Sequence, residues 1–153
     1  MTNKIPKVLT IGYTSGTFDL FHIGHLNILR RCRDACDRLV VGVNTDDSVF
    51  LRKGKRCVMP LCERLAIIQS LKFVDEAFAK DFEDDIDLKS FHMYKYRKSF
   101  IGDDYMSDER FLRYGDALAG VGAELIFLPR TASVSTTEIM ERIAELANKR
   151  QKA

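Results

Sequence analysis

His22-Ile23-Gly24-His25 holds two of the chain's three histidines, separated by two residues and lying directly behind Gly16-Thr17-Phe18-Asp19-Leu20-Phe21. At that spacing both imidazoles fall on one face of the first turn of a helix. A helix N-terminus favours anions, because its first N–H groups lack intrahelical partners and its dipole is positive there. Gly24 between the two rings lets backbone and ligand come close. The chemistry such a turn suits is holding a phosphate chain and polarising its reacting phosphorus. A surface or capping pair of histidines is the plain structural alternative. A metal pair lacks an evident third ligand nearby.

Further candidates follow along the chain. Arg52-Lys53-Gly54-Lys55-Arg56 is a basic, glycine-containing run, and Lys53 and Lys55 are its candidate phosphate contacts. Such runs are more often solvated faces. Arg64 falls between Leu61 and Leu65 on an expected helix, where it reaches either a phosphate or a neighbour such as Glu63. Asp103 and Asp104 follow an expected strand end and read as ligand-facing carboxylates or as a polar turn. Ser135-Thr136-Thr137-Glu138 has the capping-box pattern, and a Ser135 cap is worth about 1 kcal/mol to its helix.

The elements that must position these residues alternate in type. Short apolar strands are expected at 7–13, 39–44, 73–79, 98–101 and 124–128. Helices are expected at 22–35, from Pro60 with Leu61, Leu65, Ile68 and Leu71 inward, at 83–91 and at 107–121. A last helix after Ser135 carries Ile139, Ile143 and Leu146 on one face, with a frayed tail after Lys149. Residues 14–19 and 45–60 are expected to be loops. This order predicts one α/β domain over 1–153, a Rossmann-like doubly wound parallel sheet of about five strands with right-handed crossovers. Ligands bind outside the carboxyl ends of the strands in such sheets. The loops after strands one, two, four and five carry the histidines, the basic run, Asp103-Asp104 and Arg130 to Thr136, so all four clusters converge on one edge.

Composition narrows the class. With 46% hydrophobic and 30% charged residues the chain reads as a soluble globular protein. A net charge of +2 gives no reason to expect nucleic acid or a membrane surface as partner. Four cysteines in 153 residues do not make a disulfide scaffold, and free thiols in a reducing cytoplasm are the expected state. Neither a signal peptide nor a membrane span is evident.

Three segments resemble the cytidylyltransferase family of the nucleotidyltransferase superfamily, nearest to its glycerol-3-phosphate branch. They are Gly16 to His25, then Gly102-Asp103-Asp104-Tyr105, then Pro129-Arg130-Thr131-Ala132-Ser133-Val134-Ser135-Thr136-Thr137. The histidine segment alone would also suit ATP users, whereas the Arg130–Thr137 segment favours CTP. The resemblance implies transfer of CMP from CTP to a small phosphorylated alcohol, with Mg²⁺ bound alongside CTP, and a homodimer. It implies catalytic roles for His22, His25, Lys53 and Arg130. Nucleotide contacts are implied for Thr17, Phe18, Gly24, Asp103, Asp104, Thr131, Ser135 and Thr136. Acceptor contacts are implied for Asp19, Lys53, Lys55, Arg64 and Lys72, the last standing where glycerol-phosphate members carry an arginine. The alternatives are other acceptors (choline, ethanolamine or another polyol phosphate), an ATP-using adenylyltransferase, and a nucleotide-binding module without turnover.

Overall fold

The aliphatic run Leu39–Val43 lies inside a sheet covered on both faces. The computed structural model describes residues 8–81, 88–132 and 134–151. In chain order the elements are β1 (Ile11–Gly16), α1 (Ile23–Asp34), β2 (Arg38–Asn44), α2 (Asp46–Lys53), α3 (Leu61–Gln69), β3 (Glu76–Lys80), α4 (Lys89–Tyr94), β4 (Lys98–Gly102), a 3₁₀ turn (Asp103–Tyr105), α5 (Glu109–Gly120), β5 (Glu124–Leu128) and α6 (Thr136–Gln151). The sheet order is β3-β2-β1-β4-β5, and every adjacent pair is parallel. The expected doubly wound α/β architecture is therefore the observed one.

β2 shows why the run Leu39-Val40-Val41-Gly42-Val43 is apolar throughout. Leu39, Val41 and Val43 pack against Leu29 and Cys32 of α1 and Ile68 of α3 on one face. Val40 packs with Tyr13, and with Tyr114 and Leu118 of α5, on the other. Each fully buried aliphatic side chain contributes roughly 1.5–3 kcal/mol.

Four boundaries differ from the sequence expectation. β1 begins at Ile11 and continues through Gly16, while Val8 and Leu9 are exposed. Polar Thr14 can lie in the buried centre because its hydroxyl donates to the Phe100 carbonyl at 2.9 Å. The expected loop at 45–60 contains α2, capped by the Thr45 hydroxyl, with Asp46 and Asp47 in its first turn and Arg52 and Lys53 in its last. Those charges complement the helix dipole. β3 starts only at Glu76, because residues 71–74 form a turn closed by Val74 N–H on the Leu71 carbonyl. The helix expected at 83–91 falls partly on 82–87, outside the described residues, and α4 covers Lys89–Tyr94.

α6 departs from an ordinary packed helix. It extends through Gln151, and Met140, Ile143 and Leu146 on it are exposed. Its apolar stripe therefore does not face this chain's core.

Candidate active site

The histidine turn caps its own helix. His22 is the N-cap of α1, and its Nδ1 accepts from Gly24 N–H at 3.1 Å. Nδ1 of His25 accepts in turn from the His22 backbone N–H at 3.4 Å. The two rings stack with centroids 3.8 Å apart. With both Nδ1 atoms accepting, each neutral imidazole carries its proton on Nε2. Burial lowers the pKa of both, and Arg130 adds to the effect; His25 is pushed down to about 3. The pair is thus two neutral N–H donors at a helix N-terminus, suited to an anion without carrying charge themselves. Gly24 is needed for this seat, since a Cβ there would lie 2.8 Å from His22 Cε1 and 3.0 Å from Val134 Cγ1.

The loop between β1 and α1 is held in a strained shape. Phe18 and Leu20 have φ of 54° and 47°, the left-handed region, which costs non-glycine residues on the order of 1 kcal/mol or more each. Two buried charges fix it. Asp19 accepts from Val58 N–H at 2.8 Å and Met59 N–H at 2.9 Å. Arg64 is fully buried and donates to the carbonyls of Thr17, Asn44 and Met59, and to Asp46 Oδ1. Asp19 and Arg64 therefore clamp the loop, rather than lying open to an acceptor phosphate as their expected contacts would require. Phe18 serves the core, at 4% exposure, and meets the His25 ring edge-on.

α2 brings Lys53 to this loop. Lys53 Nζ lies 3.5 Å from Thr17 Oγ1, and its pKa is lowered by burial and by the neighbouring Arg52 and Lys55. Asp81 holds the start of α2, accepting from the Thr45 hydroxyl at 2.6 Å and the Ser48 hydroxyl at 3.0 Å. Lys55 is exposed just beyond Gly54.

From the far side of the sheet, the loop after β5 reaches the same place. Arg130 pairs with Asp104 at 2.9 Å, and its N–H meets Asp103 Oδ1 at 3.4 Å. Thr131 accepts from Asn27 of α1 at 3.1 Å. Ser135 accepts from Glu138 N–H at 3.1 Å, the capping bond expected of it. The Thr136 hydroxyl donates to the Asp19 carbonyl at 3.0 Å, tying α6 to the histidine loop. The four clusters thus meet at one edge. Lys72 does not: it is exposed in the turn before β3, at the opposite ends of the strands. A residue at the amino end of a parallel strand cannot serve a site at the carboxyl ends, which corrects its expected acceptor role.

Beside Lys53 opens a cleft of about 100 Å³, lined among others by Ser15, Asn44, Arg52, Lys80, Ser99 and Tyr105. Asn44, Lys80 and Ser99 were not among the sequence candidates. Their signal is a polar residue inside or ending an otherwise apolar buried strand.

The family profile described as cytidylyltransferase-like matches residues 13–142. The glycerol-3-phosphate cytidylyltransferase of Bacillus spizizenii is 35% identical over 87% of this chain and 96% of its own length. The bifunctional protein HldE of Granulibacter bethesdensis is 33% identical over 90% of this chain. This chain spans only 27–28% of the length of the first HldE relatives it matches. Among solved structures, the lipopolysaccharide core biosynthesis protein of Thermoplasma volcanium GSS1 superposes with a TM-score of 0.66 at 27% identity, covering 81% of this chain and 98% of that one. Among the described residues no helix is long and apolar enough to cross a membrane.

Proposed function

The chain belongs to the cytidylyltransferase-like family, and from that premise we propose that it transfers CMP from CTP to glycerol 3-phosphate, releasing CDP-glycerol and pyrophosphate. The observation that carries this reading is the reciprocal His22–His25 cap, which leaves two neutral Nε2–H donors beside Arg130. A phosphate oxygen of the acceptor attacks the α-phosphorus in line, the bond to the bridging oxygen breaks, and pyrophosphate departs. His22 and His25 donate to oxygens on which charge builds, Lys53 draws the two anions together, and Arg130 offsets the triphosphate. Thr17, Ser135 and Thr136 supply hydroxyls at the same edge.

Mg²⁺ suits this site as a passenger of CTP. Among the described residues no three His, Cys, Asp or Glu groups form a cage, and Mg²⁺ is ordinarily held by substrate phosphates, water and one or two carboxylates. Bound with the nucleotide, it would neutralise part of the triphosphate charge, and Asp103 and Asp104, beside Arg130, would be the carboxylates to hold it.

The acceptor has a second reading, another polyol or sugar phosphate, favoured by the likeness to the lipopolysaccharide core biosynthesis protein. ATP in place of CTP is the corresponding alternative for the nucleotide. Pyrophosphate release measured with CTP and ATP, each against glycerol 3-phosphate, phosphocholine, phosphoethanolamine and sugar phosphates, separates them. Turnover only with CTP and glycerol 3-phosphate is the expected result. CTP binding without turnover on any acceptor would leave a binding module instead.

A homodimer belongs to the same proposal. The stripe Met140, Ile143 and Leu146 on α6 is exposed. Glu138 and Glu141 lie in the first half of α6, and Lys149 and Arg150 at its end, so an antiparallel pairing of two copies sets these opposite charges together. Sedimentation should give a dimer.

A further inference from the structure

The cleft beside Lys53 has a floor that the phosphate chemistry does not use. Asn44 ends β2 and Lys80 ends β3, and the two are Cα partners across the parallel strands. Cα partners in a sheet direct their side chains to the same face. Asn44 is 7% exposed, and its Oδ1 has no hydrogen-bond partner among the described residues. Its backbone is fixed, because the Asn44 carbonyl accepts from Arg64 at 2.9 Å.

Lys80 is 1% exposed. Its stem crosses β2 over Gly42, where a Cβ would lie 2.9 Å from Lys80 Cδ and 3.0 Å from the Tyr13 hydroxyl. The stem therefore runs from β3 over β2 on the face that Asn44 shares, and Lys80 lines the cleft. Ser99 on β4 completes the floor, with its hydroxyl 3.1 Å from that of Tyr114.

A buried carbonyl-type acceptor is costly when nothing donates to it. An ammonium has three donors, enough for a structural partner and a ligand oxygen together. Side by side, an acceptor and a cationic donor match two adjacent hydroxyls, one donating to Asn44 Oδ1 and one accepting from Lys80. The charged groups among the described lining residues are Arg52, Lys53 and Lys80, all cationic, so an acceptor ending in an ammonium meets like charge.

We infer that Asn44 and Lys80 are the residues that choose the acceptor, and that they select a phosphomonoester whose far end carries a vicinal diol over one ending in an alkyl or ammonium group. The inference rests on the transferase reading for its chemistry, and the test keeps the two apart. Pyrophosphate release is measured for the wild type, Asn44→Leu and Lys80→Met, with CTP and each of glycerol 3-phosphate, propyl phosphate and phosphocholine.

The wild type should prefer glycerol 3-phosphate by about a hundredfold or more in kcat/KM, since a site built for hydroxyls strongly rejects analogues lacking them. Both variants should raise the KM for glycerol 3-phosphate about tenfold and shrink that preference, with the KM for CTP within about twofold. Unchanged preference in the variants, or equal use of phosphocholine by the wild type, overturns the inference. If Lys80→Met does not fold, Asn44→Leu and Asn44→Ser decide alone. If no acceptor supports turnover, the transferase reading falls. Calorimetry then decides the inference: glycerol 3-phosphate bound by the wild type but not by Asn44→Leu upholds it, and equal or absent binding overturns it.

Discussion

The His25 imidazole accepts the His22 backbone N–H through Nδ1, so one bond sets both the start of α1 and the tautomer of the second histidine. Structure and chemistry are the same contact here. A cap made from serine would serve the helix but would leave no ring N–H for a ligand.

That coupling has a signature in pH. An imidazole whose pKa is pushed to about 3 in the folded chain takes up its proton near 6.5 when unfolded. The unfolded state therefore binds more protons between those values, and stability falls as pH drops. The contribution of His25 is complete above about pH 6.5, is lost progressively towards pH 3, and is flat below. His22 shifts in the same direction. Thermal midpoints followed from pH 7.5 to 5 should fall more steeply for the wild type than for His25→Leu. Parallel curves would contradict a buried neutral imidazole.

Removal of the ring tests catalysis. His25→Ala should lower kcat about a thousandfold, the upper range for loss of one preorganised donor to a developing oxyanion. The helix loses one capping acceptor, worth about 1 kcal/mol, so circular dichroism should show a folded protein. Near-normal turnover in that folded variant would remove His25 from the mechanism.

Gly24→Ala separates stability from activity. Alanine gains about 1 kcal/mol of helix propensity over glycine. Its Cβ, however, would sit 2.8 Å from the His22 ring and 3.0 Å from Val134, so the ring must shift. The expected result is a melting temperature close to the wild type's with kcat down at least about tenfold, since small misplacements of reacting groups cost rate steeply. Unchanged kcat would mean that the His22 position is not critical.

Arg130 offers the complementary case. Its pair with Asp104 is half exposed on both sides, 52% and 36%, and such pairs contribute about 0–1 kcal/mol. Arg130→Ala should leave stability nearly unchanged while raising the KM for the nucleotide about tenfold or more, the value of a charge-assisted contact. A large loss of stability with normal KM would make Arg130 a structural residue.

The architecture was legible because strand-length and helix-length patterns alternate along the chain, because β2 is a continuous aliphatic run, and because glycine and proline punctuate the loops. The histidine turn was legible for its spacing, and Arg130, Ser135 and Lys53 do gather around it. α2 escaped notice because its inner face is narrow: Val49 is buried, but Phe50 and Leu51 beside it are exposed. Its signals were local, in Thr45, Asp46 and Asp47 before and Arg52 and Lys53 after. Apart from the Met59 carbonyl five residues away, the contacts that define Arg64 lie 18 to 47 residues off, and those of Asp19 with Val58 and Met59 lie 39 or 40 off, which no local pattern carries. Lys72 was misplaced because charge type says nothing about which end of the sheet a loop occupies.

Arg64 gives the sharpest test of that distinction. Its guanidinium, 0% exposed, joins Thr17, Asn44, Met59 and Asp46. If it acts by holding the strained loop, Arg64→Ala leaves three carbonyls and a carboxylate without their donor. Asp46 is 46% exposed and keeps its bond from Leu61 N–H, so the loss comes mainly from the carbonyls, at about 1–3 kcal/mol for each left unsatisfied. Lysine keeps the charge but not the planar fork, so it cannot reach all four groups from one position. Arg64→Lys should therefore also lower the urea midpoint and, at temperatures where it is folded, lower kcat through the released Thr17 carbonyl. A direct contact to the acceptor phosphate makes the opposite pattern: a raised acceptor KM at unchanged urea midpoint, partly restored by lysine. Measuring both quantities on the same two variants decides between them.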